Sequence, residues 1–305
     1  MQDKRVLEFQ AAIFGEGERE AERNRKLRRF LERRNGECSG RAVKIPMIPG
    51  KLSLEKMLED ERDAFRDCGV LPVGMDFDTV ALTSVRLGCD GFLVLLGDEA
   101  RRGRFIENLL RMLGRTAVFQ PLQVWIADDR AGRLLPFSRQ GFVEEYTADG
   151  EEGLLLTDGF CEAVLRGKGG EECGGEGDGA GGGECGWRQD GKQDGGYRML
   201  ILAGEEIFRN ICADRERSRR FTQALQRAAQ AQAFFLFAAL NQTVNWNSCE
   251  VMRTIKEERS GIFFGDLADC RLFELPGRVK ADLSFDGTIG YRFRRDGCSK
   301  IKLFE

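Results

Sequence analysis

An apolar run of strand length, Phe92-Leu-Val-Leu-Leu96, ends in Gly97 and leads through Asp98-Glu99-Ala100-Arg101-Arg102-Gly103-Arg104 into a helical pattern at Phe105. A buried strand that ends in glycine and feeds a helix is where parallel α/β proteins bind phosphate. The unpaired N–H groups and the dipole of the helix start both favour an anion there. The matching motif is G-x-x-x-x-G-K-[ST], with lysine on the β/γ-phosphates and the hydroxyl on Mg²⁺. Counted from Gly97, the second glycine position holds Arg102, the lysine position Gly103 and the hydroxyl position Arg104. A slide of one residue restores Gly103 and puts Arg104 in the lysine slot, but Phe105 then replaces the hydroxyl. Asp98 and Glu99 would also point two negative charges at a polyphosphate. The spacing is that of a phosphate loop; the chemistry is not.

A second strand repeats the pattern. Met199-Leu-Ile-Leu-Ala203-Gly204-Glu205-Glu206 has the form of an apolar strand that ends in a metal-binding acid, yet the acid position falls on Ala203 or Gly204. Glu205 and Glu206 are left either to serve Mg²⁺ and polarise water or to sit solvated at a strand end. Asn241 and Gln242, after the run Phe234 to Leu240, stand where a polar sensor would be, or in a plain loop. The chain has no histidine. A Ser-His-Asp triad, a Cys-His dyad, a histidine-held metal and a histidine base are thereby excluded.

The elements around these junctions alternate. Strand patterns at Leu71–Asp76, Phe92–Leu96, Leu122–Ala127, Phe142–Tyr146, Arg198–Ala203 and Phe234–Leu240 are separated by helical patterns at 104–113, 153–166 and 215–232. Gly114 closes the first of these helices and Asp214 caps the last. Buried strands alternating with helices require a mainly parallel sheet with helices on both faces. Phe234, Phe235 and Phe237 read as its core rather than as a stacking platform, since no basic residues interleave them. The segment 283–303 is strand-like and punctuated by glycine. Before the sheet, 16–34 interleaves Glu with Arg and Lys, with Glu22 and Lys26 four apart, as on a solvated or bridging helix. Ile45-Pro-Met-Ile-Pro-Gly50 breaks regular structure, and Ser53 starts a short capped helix over 55–67.

The 305 residues carry 47 basic and 50 acidic side chains, for a net charge of −3, so no basic field advertises nucleic acid or an anionic membrane. The longest strongly apolar run, Ala233 to Leu240, is far short of the roughly 20 residues that span a bilayer. Ten cysteines include no C-x-x-C pair and are read as reduced thiols of a cytosolic chain. Residues 167–196 hold 14 of the 38 glycines and a net charge of −4, with almost no apolar side chains. Such a stretch is expected to be a disordered insertion, not a site.

In the order of its motifs the chain resembles a known family: Leu7-Glu-Phe-Gln-Ala-Ala12, Gly15-Glu-Gly-Glu18, Glu22-Arg-Asn-Arg25, Lys44-Ile-Pro-Met-Ile-Pro-Gly-Lys-Leu52, Leu71-Pro-Val-Gly-Met-Asp76, Asp90-Gly-Phe-Leu-Val-Leu-Leu-Gly97, Gly261-Ile-Phe-Phe-Gly265, Gly287-Thr-Ile-Gly-Tyr291 and Lys300-Ile-Lys-Leu-Phe304. It resembles the EssC-type FtsK/SpoIIIE ATPase modules of the type VII secretion motor, and within them the C-terminal, degenerate module. The resemblance covers nearly the whole chain outside the glycine-rich stretch.

It implies a RecA-like P-loop NTPase fold at 51–305, preceded at 1–50 by the end of a preceding module and a charged helical connector. On this reading the chain is a C-terminal piece of a larger motor or the product of a truncated gene. It lies on the cytosolic side of a membrane complex that it reaches only through the parent protein. Gly97, Arg102, Gly103 and Arg104 become a vestigial phosphate loop, and Glu205 and Glu206 a vestigial Walker B site. No catalytic or metal-binding residue is assigned and no cofactor is required; ATP with Mg²⁺ is disfavoured. The resemblance implies WXG-type helical-hairpin substrates and neighbouring ATPase modules, in a possible hexamer, as partners. A hydrolysing module that uses Arg104 for lysine and Glu205 or Glu206 for Mg²⁺ is the main alternative. A DNA translocase lacks the basic stripe that phosphate neutralisation needs, and a decayed domain without partners completes the set.

Overall fold

Side chains along the central strands alternate between two apolar layers, and that alternation fixes the architecture. A computed structural model describes residues 20–37, 47–60, 69–115, 122–166, 196–238, 249–273 and 287–305. By contacts the chain divides into two units, Met1–Pro46 and Met47–Glu305. In the first, α1 (Glu20–Glu37) is dominated by charged residues, and its Glu22–Lys26 pair sits 3.8 Å apart at one-turn spacing.

The second unit holds α2 (Leu54–Asp60), β1 (Val70–Asp76), β2 (Leu82–Arg86), α3 (Leu87–Asp90), β3 (Phe92–Gly97), α4 (Glu99–Arg115), β4 (Leu122–Ala127), β5 (Val143–Thr147) and α5 (Gly150–Arg166). It continues through β6 (Tyr197–Leu202), α6 (Glu205–Ala213), α7 (Arg215–Arg227), β7 (Ala233–Phe237), α8 (Glu250–Glu258), β8 (Gly261–Phe264), β9 (Ile289–Arg294) and β10 (Gly297–Lys302). The strands form one sheet in the order β2-β1-β10-β9-β8-β3-β7-β6-β4-β5. From β8 to β5 every pairing is parallel, while β9, β10, β1 and β2 extend the sheet antiparallel. The parallel half therefore places the carboxyl ends of β3, β7, β6 and β4 side by side, where open α/β sheets bind ligands.

One layer of core takes Phe92, Val94 and Leu96 of β3 with Phe235 and Phe237 of β7, and covers them with α5, α6, α7 and α8. The other takes Leu93 and Leu95 with Phe234 and Leu236, and covers them with α4 and α2. Strands buried on both faces read as continuous apolar runs, which is why they stood out in the sequence. Asp214 caps α7 as expected, its Oδ1 accepting from the N–H groups of Glu216 and Arg217.

Three differences from the sequence reading bear on the site. The helix after β3 begins at Glu99, not Arg104, and runs through Gly114. The helix after Asp214 ends at Arg227, so the chain turns before β7. Glu205 and Glu206 lie in the first turn of α6, a helix that the sequence pattern did not reveal. Residues 1–19, 167–195 and 239–248 lie outside the described residues, and with them the expected end of a preceding module, the glycine-rich stretch up to Gly195, Asn241 and Gln242. Among the described residues no helix is long and apolar enough to cross a membrane.

Candidate functional site

At the carboxyl end of β3 the strand turns into α4 with only Asp98 between them. Gly97 sits at φ +92°, and a Cβ there would lie 2.2 Å from the Phe264 carbonyl oxygen of the adjacent β8. Asp98 N donates to that same oxygen at 2.9 Å. The Asp98 carboxylate turns back over the start of α4 and accepts from the Arg101 N–H at 3.0 Å, while its carbonyl takes the Arg102 N–H. An aspartate in this place serves as the helix cap, and it occupies a donor that an anion would otherwise use. Arg102, Gly103 and Arg104 thus form no loop. They lie in the first two turns of a regular helix.

Their directions separate them further. Arg102 reaches into a cleft of about 180 Å³ at the ends of β3, β4, β6 and β7, where its Nη1 donates to the Ala238 carbonyl. Burial pushes its guanidinium below the usual arginine value, and Glu99, Glu205 and Asp98 partly restore it. Gly103 lines the same cleft, next to Arg133. Arg104 is exposed and faces a different groove, with Arg101, Asn108, Arg111 and Phe304, so it does not stand in the lysine slot.

The end of β6 is equally closed. Ala203 and Gly204 both donate to the Ala127 carbonyl, and a Cβ at Gly204 would come within 2.9 Å of the Asp128 carbonyl oxygen. Close packing of two strand ends selects glycine there. Glu205 lines the cleft but pairs with Arg209 one turn along α6 at 2.7 Å, and Glu206 pairs with Arg130 at 3.0 Å. Among the described residues no group of three or more Cys, Asp or Glu is arranged to hold a metal ion.

The carboxylate that dominates the cleft went unnoticed in the sequence. Asp128, at the end of β4, is 2% exposed. Its Oδ2 accepts from the Leu134 N–H at 2.8 Å and the Tyr146 hydroxyl at 3.0 Å, and its Oδ1 from the Asp129 N–H. Burial pushes Asp128 above the ordinary carboxylate range, against the pull of these three donors. Burial and the nearby Asp128 charge push the Tyr146 phenol up. The donors fold residues 128–134 into a compact turn that carries Arg133 to Glu99 at 2.7 Å, closing one wall of the cleft. The available signal was the pair Asp128-Asp129 directly after an apolar strand.

Tyr146→Phe is expected to cost about 1.5–3 kcal/mol, the range for a hydrogen bond to a charged acceptor. The folded state holds the Asp128 proton more tightly than the unfolded chain, and the stability this confers is lost as pH rises through the folded value. Removing the hydroxyl pushes that value higher still. The mutant's deficit should be larger at pH 7 than at pH 4, as urea titrations at the two pH values would read.

No protein-family model and no curated protein matches this sequence. Solved structures match its fold. EssC (ATPases 2 and 3) from Geobacillus thermodenitrificans superposes with a TM-score of 0.64 at 18% identity, covering 95% of this chain and 51% of that one. The cytoplasmic domain of EssC gives 0.60 at 16% identity, over 95% and 54% of the two chains. Thermomonospora curvata EccC (ATPases 2 and 3), in complex with a signal sequence peptide, gives 0.56 at 16%, over 94% and 49%. The fold is that of a type VII secretion ATPase module. The chain spans about half the length of these structures. In this EssC/EccC-type fold, the β3–α4 junction and the ends of β6 and β7 are the places where the sequence motifs sought a nucleotide. At the first of these Asp98 caps α4, and just past β7 the Ala238 carbonyl accepts from Arg102.

Proposed function

We propose that the chain acts as a non-hydrolysing module of a type VII secretion motor, on the cytosolic side of the membrane complex, docking secreted substrates or neighbouring modules. The observation that carries this reading is the β3–α4 junction, a single residue long, whose Asp98 carboxylate takes up a donor at the start of α4. A triphosphate does not fit these residues. It would meet Asp98 and Glu99 before any lysine, find no hydroxyl for Mg²⁺ among the described residues that line the cleft, and face a volume of about 180 Å³ against the 300 Å³ or more of ordinary ligand sites. Arg102, the one strongly basic side chain directed into that cleft from α4, is held by Ala238. The EccC structure contains a signal sequence peptide; by analogy the partner here is a secreted helical hairpin of the WXG type, or another ATPase module of the same assembly.

The test is a titration of the purified chain with a fluorescent ATP analogue in Mg²⁺, in parallel with Glu205→Gln. No saturable signal is expected up to millimolar nucleotide for either protein. Micromolar binding that Glu205→Gln weakens would overturn the proposal and establish the hydrolysing alternative, with Glu205 serving the metal. Binding of a purified WXG hairpin to the nucleotide-free chain is the expected positive result.

A further inference from the structure

A second concavity, of about 450 Å³, lies between α4, the end of β8 and the segments that precede β9 and follow β10. It is larger than the cleft and within the range of small-molecule sites. Its floor is apolar: Phe264 and Leu303 are buried, and Phe105 and Phe304 are half-buried. The Phe105 and Phe264 rings meet at 5.7 Å. The floor is also held in place. Asn108 Nδ2 donates to the Phe304 carbonyl at 3.0 Å, and Leu303 N donates to the Thr288 carbonyl at 2.7 Å. The segment after β10 is thereby tied both to α4 and to the residues before β9. Charge around the groove is uneven. Arg101 and Arg104 stand three residues apart on α4, about 4.5 Å along its axis, where like charges on one face repel. Arg101 lies against Gly287 and keeps only a loose ion pair with Asp98, at 3.9 Å. Arg104 is exposed and, among the described residues, makes no hydrogen bond or ion pair. Beside Gly287, the Thr288 hydroxyl accepts from Nζ of Lys302, which is 6% exposed, so a third cation stands behind this end. The other charged lining residues offset one another: Arg111 pairs with Glu107 at 3.2 Å, and Glu305 adds an acid.

We propose that this groove binds a monoanionic amphiphile, a medium-chain carboxylate, with its head on Arg104 and Arg101 and its chain along Phe105, Phe264, Leu303 and Phe304. A guanidinium presents two parallel N–H groups to a carboxylate, the strongest hydrogen-bonding geometry the two groups can share. A negative charge at this end also relieves the repulsion between the two arginines. Each methylene laid on the apolar floor adds to affinity by leaving water. The single charge follows from the acids around the groove. A polyphosphate would set its further charges against Asp98, Glu107 and Glu305, whereas one carboxylate is matched by the two arginines alone. The groove shares no lining residue with the cleft, so its occupancy does not depend on how the cleft is read.

The experiment titrates the folded full chain with sodium decanoate at pH 7 by calorimetry, with butyrate, decyltrimethylammonium and ATP as companion probes. Decanoate is expected to saturate one site at about millimolar concentration or below. Butyrate, six methylenes shorter, should bind at least about tenfold more weakly. Decyltrimethylammonium, with the same tail and the opposite charge, should not saturate. Arg104→Ala should weaken decanoate by about tenfold or more, and Arg104→Lys by less. Arg166→Ala, at the exposed end of α5, should leave the affinity unchanged. No saturation by decanoate, equal binding of butyrate or of decyltrimethylammonium, or an unchanged affinity in Arg104→Ala would overturn the proposal. ATP that displaces decanoate would overturn it as well. ATP binding that Glu205→Gln weakens, with decanoate unaffected, would overturn only the reading of the cleft. If Arg104→Ala fails to fold, the contrast among probes on the unaltered chain decides alone.

Discussion

Gly97→Ala is expected to destabilise the folded chain by about 3–5 kcal/mol, while Gly103→Ala, six residues on, should leave it unchanged or gain up to about 1 kcal/mol. Gly97 is held at φ +92°, a backbone conformation that costs any side chain. The added methyl would stand 2.2 Å from the Phe264 oxygen and 2.9 Å from its carbonyl carbon, both backbone atoms of the paired strand β8. Backbone cannot swing aside as a side-chain tip can, so β3 and β8 must part at their ends. The Asp98 N–H then loses its acceptor in Phe264, a further cost of about 1 kcal/mol. At Gly103 the methyl would touch only the Arg133 guanidinium at 3.5 Å, on a helix where alanine is the better former. Urea unfolding of the two variants reads the contrast directly. If both glycines lined a phosphate loop, the two substitutions would act alike on stability. Equal effects would remove the assignment of Gly97 to strand packing.

How far the sequence carried is seen at these same residues. The strands β3 and β7 are legible because each is buried on both faces and reads as an unbroken apolar run, and β4 and β6 because Gln123 and Arg198 are their only strongly polar residues. The Asp214 cap is legible because a side chain that satisfies its own helix start acts within three residues. The α4 start was misplaced for a related reason. Asp98 and Glu99 were weighed as charges facing a ligand, whereas Asp98 turns back onto the Arg101 N–H and begins the helix five residues early. Nothing in local spacing separates these two uses of an acid; the position of Phe264 on β8, more than 160 residues away, decides between them. Asp128 was missed because its importance arises from a turn at Leu134 and from Tyr146 on β5, neither of which a motif links to it. Helix α6 was hidden because Glu205 and Glu206 were read as the close of a strand, although acidic residues in a first helical turn are favoured by the dipole. In each case local periodicity specified the element, and contacts distant in sequence specified what its end residues do.

Phe235→Ala should cost about 4 kcal/mol, within the range for emptying a fully buried aromatic site. Phe235 is inaccessible to solvent at the centre of β7. Its ring meets Phe160 of α5 edge-on at 5.2 Å and 85°, and Phe221 of α7 at 5.4 Å and 71°, while Phe237 stacks alongside at 6.2 Å. Edge-to-face pairs contribute about 0.5–1.5 kcal/mol each beyond the area they bury. The cavity cannot close by a helix moving in, because α5 and α7 also pack on each other and on α6 through Phe208 and Ile211. Phe235→Leu keeps most of the volume and loses only the ring geometry, so it should cost about half as much. A double substitution with Phe160→Ala should fall short of the sum of the single effects, since the two rings share one contact. Guanidinium unfolding of the four variants beside the wild type measures all of this. Additive losses, or a Phe235→Ala cost under about 1 kcal/mol, would mean that the ring does not tie α5 to the sheet. The aromatic run on β7 would then need a purpose other than joining the helical layer to the strands whose ends form the cleft.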